Sequence, residues 1–223
     1  MRSIIRPLLA VLCLATVAVA ADEPVAPEKP ATPKEPAAME YVTLSTNHGD
    51  ILLELDAEKA PISVANFLAY VDDKHYDGLI FHRVINDFMV QAGGFTPDMK
   101  EKTPKKPIKN EWKNGLKNVR GSIAMARTQV ADSATSQFFI NVKDNDFLDV
   151  PRDGAAYAVF GRVAAGMDVV DEIKVVPVAN KGMHQNVPVE AVIIETAVRV
   201  DPDAAKKIIA ADADKAKSGS SAE

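Results

Sequence analysis

The sequence predicts a mainly β domain, an antiparallel barrel of eight strands that closes on itself and is capped by two α-helices. Three observations predict it. Short runs of alternating apolar and polar residues recur between residues 41 and 200, each bounded by turn residues. Only two stretches among them carry apolar residues at helical spacing. No internal repeat organises the chain, and a sheet built from so many strands removes its exposed edges most simply by closing.

Residues 41–46 alternate, Asn47 to Asp50 read as a tight turn, and 51–55 return as a strand, so the domain opens on a β-hairpin. Pro61 suits the first position of a helix running to about Lys74, in which Val64, Phe67, Leu68 and Val71 recur at helical spacing. That apolar face should cover the sheet. Further strands are expected at 81–85, 88–92, 121–126, 138–142, 157–163 and 191–200, with a short helix near 167–173. Between Gly94 and Asn118 lies a Lys/Pro/Asn-rich stretch without periodicity, and so long a loop is usually functional or braced by packing. After Val200, Asp201 and Pro202 read as a helix cap and first turn, followed by an Ala/Lys-rich helix in the tail 201–223. Its apolar face is only Ile208, Ile209 and alanines, so it should dock weakly and fray.

The N-terminus has the three parts of a secretory leader. Arg2 and Arg6 form the positive end, an apolar run of about a dozen residues follows, and small residues stand at Ala18 and Ala20. Cleavage is expected after Ala20, with export to the periplasm; the apolar run is too short to span a bilayer, which takes about 20 residues. Residues 21–40 are a linker with prolines at 24, 27, 30, 33 and 36, a spacing of three that matches one turn of polyproline II. The domain proper is 41–200. Of the 26 Lys and Arg, Arg2 and Arg6 fall in the leader and no acid does, so the remainder carries 24 bases against 31 acids, net −7. That balance argues against a nucleic-acid partner. Cys13, the single cysteine, leaves with the leader, which excludes disulfides, a thiol nucleophile and thiolate metal sites.

Several chemistries are absent. The histidines His48, His75, His82 and His184 have no partner at metal-ligand spacing, so neither a metal nor another cofactor is expected. Ser136 does not sit in a nucleophile elbow, and Gly93-Gly94 is neither a phosphate loop nor a dinucleotide fingerprint. Two segments remain to be explained: 81–95 (FHRVINDFMVQAGGF), and 124–128 (AMART) continuing through 132–141 (DSATSQFFIN).

These segments resemble the signature segments of the cyclophilins, the peptidyl-prolyl cis-trans isomerases. The likeness extends through 145–149 (NDFLD) and 157–163 (YAVFGRV), and with the leader and 107–111 (PIKNE) it is strongest to the periplasmic members of Gram-negative bacteria. The resemblance implies an eight-stranded barrel with two helices, and proline-containing polypeptides as substrates of a monomer without cofactor or metal. It makes Arg83 the catalytic arginine and Gln91 the residue that orients it. Phe88, Met89, Phe139 and Leu148 become the proline pocket, and Gln137 a polar contact to the substrate backbone. Ala126, Arg127 and Thr128 become the edge that meets the residues before the proline, the main chain of Arg127 pairing with the peptide. Phe147 stands where the best-known eukaryotic members carry tryptophan, and Tyr157 where they carry histidine, so weak cyclosporin binding is expected. His82 is read as a structural hydrogen-bonder.

The implied reaction suits these residue types. The barrier to peptide rotation, ~18–20 kcal/mol, comes from amide resonance. A fixed donor aimed at the nitrogen binds the twisted transition state, where the lone pair localises, better than either planar isomer. An exported isomerase assisting folding is therefore the expected function. A holdase or adaptor that binds prolyl segments in the envelope without turnover is the alternative.

Overall fold

The computed structural model describes residues 39–219, so the leader expected at 1–20 and residues 21–38 of the linker lie outside the described residues. The first strand, β1 (Met39–Thr46), takes the last two residues assigned to the linker and turns through Asn47 and His48 into β2 (Gly49–Asp56). In the turn, the Thr46 hydroxyl donates to the Gly49 carbonyl at 2.7 Å and accepts from the His48 N–H at 3.0 Å. Alternation puts Val42 and Leu44 of β1 and Ile51, Leu53 and Leu55 of β2 into the core.

The helix α1 (Pro61–Asp72) follows, with proline at its start and Val64, Phe67, Leu68 and Val71 buried. Its own N-cap, Ala60, has no side chain to offer, and a carboxylate from the long loop takes that place. Glu111 accepts from the Ile62 N–H at 3.0 Å and from both the N–H and the hydroxyl of Ser63 at 2.7 Å. The loop from Gly94 to Asn118 is thus braced by packing. Its Asn110 donates to the carbonyls of Ala131 and Ala156, Asn114 to that of Val159, and Tyr70 accepts from the Lys105 N–H.

The strands β3 (Arg83–Ile85), β4 (Met89–Ala92), β5 (Ser122–Met125) and β6 (Phe138–Asn141) come next, then a short 3₁₀ turn at Asp146–Leu148 that the periodicity does not reveal. After β7 (Val159–Ala165) come the helix α2 (Met167–Lys174) and a hairpin of β8 (Val178–Lys181) and β9 (His184–Pro188), and finally β10 (Ile194–Val200) and α3 (Pro202–Gly219). Eight strands form one antiparallel sheet in the order β10-β1-β2-β7-β5-β6-β4-β3, and β8-β9 form a separate pair. A glycine permits a close strand approach: a Cβ at Gly161 of β7 would stand 2.3 Å from the Glu54 carbonyl oxygen of β2.

The expectation of a closed barrel is corrected here. The sheet curls into a half-barrel, and β3 and β10 remain its edges. The two ends approach through the residues before β3 and around the start of β10, with an isolated bridge between Ile80 and Ile193 and backbone bonds linking Gly78, Leu79 and Phe81 to Val192 and Ile194. With three residues, β3 is too short to continue that contact into a ladder, and β9 packs beside it instead. The helix expected in the tail is present as α3, a third beside the two expected to cap the barrel. Ala205 is fully buried beneath Tyr41, Leu52 and Ala165, and Ile209 packs on the same cluster, whereas Ile208 is exposed. Among the described residues no helix is long and apolar enough to cross a membrane.

Candidate functional site

The two faces of the curled sheet do different things. Val84, Val90, Ala92, Ile123, Met125, Phe138 and Ile140 point into the main core around Phe67, Tyr76 and Phe160. One residue along each strand, Met89, Ala124 and Phe139 point the other way and build a second apolar cluster with Leu148 and Val159, against which Phe88, Ala126 and Tyr157 pack. Over this cluster opens a groove of about 510 Å³.

Arg83 and Gln91 face each other across the β3-β4 ladder, and Gln91 is paired in turn with Phe139 of β6. Register therefore lines up the arginine, the glutamine and the phenylalanine across three strands. The Arg83 guanidinium is half-buried, its central carbon 5.9 Å from the centre of the Phe88 ring, and its Nη1 is 3.5 Å from Gln91 Oε1, at the long limit of a hydrogen bond. Gln91 Nε2 donates to Gln137 Oε1 at 2.9 Å. Burial lowers the pKa of the guanidinium from its ordinary value, and the Tyr157 hydroxyl opposes that shift. Phe139 meets Tyr157 edge-on at 5.6 Å, and Phe88 stacks on Phe147 at 5.5 Å, so the cup has an aromatic pair on each side.

Of the residues singled out in the sequence, Arg83, Gln91, Phe88, Met89, Ala126, Arg127, Thr128, Phe139, Phe147, Leu148 and Tyr157 all line this groove. Gln137 does not. It stands behind Gln91, its side chain lying over Gly94, where an added Cβ would come within 2.7 Å of the amide nitrogen. Four further lining residues, Gln129, Val150, Arg152 and Asp153, were not found from the sequence, because they lie in turns without periodicity. His82 points away from the groove, against Phe95 at 4.7 Å. Burial first, then His184 and Arg83, pushes it down to about 4, so it is neutral at pH 7.

A buried amide network beneath the groove was also missed. Asn118, Asn141 and Asn145 are fully buried. Asn145 donates to the Phe88 carbonyl at 2.9 Å and to Asn141 Oδ1 at 2.7 Å, and Asn141 donates to Asn118 Oδ1 and to the Ser122 hydroxyl. Asn118 donates to Asp149 at 2.9 Å. The network ties the residue carrying Phe88 to the turn carrying Phe147 and Leu148. Its only sequence signal is an asparagine at the end of an otherwise apolar strand, where an unpaired amide would be costly.

Residues 41–199 match the family model described as cyclophilin type peptidyl-prolyl cis-trans isomerase/CLD. The chain belongs to the cyclophilin family. It is 58% identical over 158 residues to peptidyl-prolyl cis-trans isomerase B of Escherichia coli (strain K12), covering 70% of this chain and 96% of that one. To peptidyl-prolyl cis-trans isomerase A of Dickeya dadantii (strain 3937) it is 55% identical over 157 residues, 70% of this chain and 83% of the relative. A crystal structure of a cyclophilin-type isomerase from Cryptosporidium parvum, in the presence of the dipeptide Ala-Pro, superposes with a TM-score of 0.63 at 27% identity, covering 72% of this chain and 99% of that one. This cyclophilin is a peptidyl-prolyl cis-trans isomerase. Among the described residues no group of three or more His, Cys, Asp or Glu is placed to hold a metal ion.

Proposed function

We propose that this isomerase accelerates Xaa-Pro isomerisation in exported polypeptides during their folding, with the groove over β3, β4 and β6 as its active site. The observation that carries the site is one always-charged, half-buried donor, Arg83, held at the edge of an apolar cup made by Phe88, Met89, Phe139 and Leu148. The leader read in residues 1–20 supports export to the periplasm with cleavage after Ala20. Uncatalysed isomerisation takes ~10–100 s at 25 °C, slow enough to limit folding.

The cup grips the proline ring while the preceding carbonyl swings. As the C–N bond twists, resonance is lost and the nitrogen lone pair localises, and the Arg83 fork donates to it. A ~10⁵-fold acceleration needs about 7 kcal/mol. One charged hydrogen bond, about 1.5–3 kcal/mol, does not reach that figure. The rest comes from the aromatic walls, which exclude water, favour the less dipolar twisted amide and strengthen the arginine contact. Ala126, Arg127 and Thr128 hold the residues before the proline, with the chain of Gln137 and Gln91 behind the arginine. Arg127 suits this role, since among the described residues its main-chain N–H and C=O make no intramolecular bond.

Arg83→Ala should lower kcat/KM on an Ala-Pro peptide by roughly two to three orders of magnitude, as loss of a preorganised donor does, with an unchanged circular dichroism spectrum. Arg83→Lys should recover little, because an ammonium lacks the fork. Wild-type turnover in Arg83→Ala would remove the assigned mechanism.

A further inference from the structure

We propose that Arg127 is a positioning residue whose side chain clamps the far wall of the groove, residues 152–157, against the proline cup. The proposal rests on the groove being the substrate site. That wall has little structure of its own. Arg152 and Ala155 exchange two backbone bonds, 2.9 and 3.1 Å, around Asp153 and Gly154, whose φ values of 53° and 88° make a tight turn with both central residues left-handed. No strand continues from it, and Ala156 leads directly to Tyr157.

The Arg127 guanidinium reaches across and holds this segment by its carbonyls. Nη2 donates to Arg152 O at 2.9 Å and Ala155 O at 2.6 Å, and Nε lies 3.4 Å from Ala156 O. Nη1 donates to Thr128 O at 2.8 Å, and the central carbon sits 4.9 Å from the centre of the Tyr157 ring. Tyr157 in turn stands edge-on to Phe139 in the cup. A lysine could not reproduce this, because its three donors radiate from one point whereas the guanidinium spreads five across a plane. The charge of Arg127 is therefore spent on the protein's own carbonyls and on an aromatic face. It is not free to pair with an acidic side chain of the substrate. One residue presents its main chain to the peptide and fixes the opposite wall with its side chain.

A loosened wall grips ground state and transition state equally poorly, so the loss should appear in KM. The experiment compares wild type, Arg127→Met and Arg127→Lys on Ala-Xaa-Pro-Phe peptides with alanine, glutamate or lysine at Xaa, with Arg83→Ala measured alongside. Both Arg127 variants should raise KM about tenfold, leave kcat within about threefold, and do so equally for the three peptides. Tyr157→Leu should raise KM in the same way, and adding Arg127→Lys to it should cost little more, because the two act as one unit. An unchanged KM in folded Arg127→Lys, a loss confined to the glutamate peptide, or a fall in kcat at constant KM would each overturn the clamp. Near-wild-type turnover in Arg83→Ala would instead overturn the groove assignment beneath it.

Discussion

In the proposed mechanism a single guanidinium, that of Arg83, supplies the chemistry, and the residues around it decide what the groove admits. Phe147 shows how. The residue is 44% exposed, its ring stacked on Phe88 with the Arg152 guanidinium 5.9 Å from the ring centre, so it forms a lip of the groove. Phenylalanine offers no donor there. Cyclosporin, which fills this groove in many cyclophilins, should bind weakly, and Phe147→Trp should strengthen it. The indole N–H adds one hydrogen bond, net ~0.5–1.5 kcal/mol, and the larger ring adds ~1 kcal/mol at about 25 cal/mol per Å². Together these amount to a tenfold to fiftyfold gain, very roughly, at ~1.4 kcal/mol per decade. Peptide turnover should hardly change, since Phe88, Met89 and Phe139 beneath are untouched. Titrating inhibition of both proteins in one isomerisation assay checks this, and equal inhibition constants would place Phe147 off the ligand's path.

Between elements, α1 depends on a loop nearly fifty residues away. The helix starts with Ala60 and Pro61, which supply no cap, and has no acid in its first turn. Glu111 provides both the acceptor for the free N–H groups and the negative charge that the helix N-terminus favours. Glu111→Ala should lower stability by about 1–2 kcal/mol, read as a lower urea midpoint at unchanged slope. Glu111→Gln should recover part of it, keeping one acceptor without the charge. A midpoint within error of wild type in Glu111→Ala would show that water caps the helix equally well.

The same elements show what the chain discloses before folding. Most of the sheet strands and the first two helices were legible because each buries one face and burial leaves a period in the sequence, whereas β5 and β6, buried on both faces, show as short apolar runs between turns. Arg83, Met89, Gln91 and Phe139 were legible as a set because they sit on one period of that pattern and stand in an ordered family resemblance. The β8-β9 hairpin was not, since all four residues of β8 are exposed and nothing forces them to alternate. Nor was the openness of the sheet, which depends on how the residues before β3 and before β10, far apart in sequence, meet at its two edges. Arg152 and Asp153 reach the groove only because a turn with two positive φ angles projects them there. The Glu111 cap and most bonds of the buried asparagines pair residues distant in sequence, so that apart from the asparagine ending β6 no local pattern records them.

Across the whole molecule, two buried histidines link stability to pH while leaving catalysis aside. Burial is the first cause holding both His75 and His82 down to about 4, with Lys102 next for His75 and His184 next for His82. Neither residue is more than 7% exposed, and among the described residues His75 Nε2 and His82 Nδ1 have no hydrogen-bond partner. In the unfolded chain both titrate near the ordinary ~6.5. Below that pH the unfolded state binds protons the folded state refuses, so stability should be constant above about pH 6.5. It should fall as pH drops towards about 4 and level off below that. Each histidine accounts for roughly 3 kcal/mol over this window at 1.36 kcal/mol per pKa unit. The depressed carboxylate of Asp171, held down by Arg120, acts at lower pH, since its stabilisation is lost only below the ordinary carboxylate range. Turnover should be flat from about pH 6 to 9, because Arg83 stays charged there and no step needs a base. Urea midpoints measured from pH 7.5 to 4, beside turnover from pH 6 to 9, test both halves. Midpoints should decline only below about 6.5, and His82→Phe should halve the decline if the mutant still folds, with His75→Phe as the independent second case. A midpoint unchanged down to pH 4.5 would mean that the rings are hydrated in solution. A turnover ionisation near neutrality that vanishes in His82→Phe would move that histidine into the catalytic machinery.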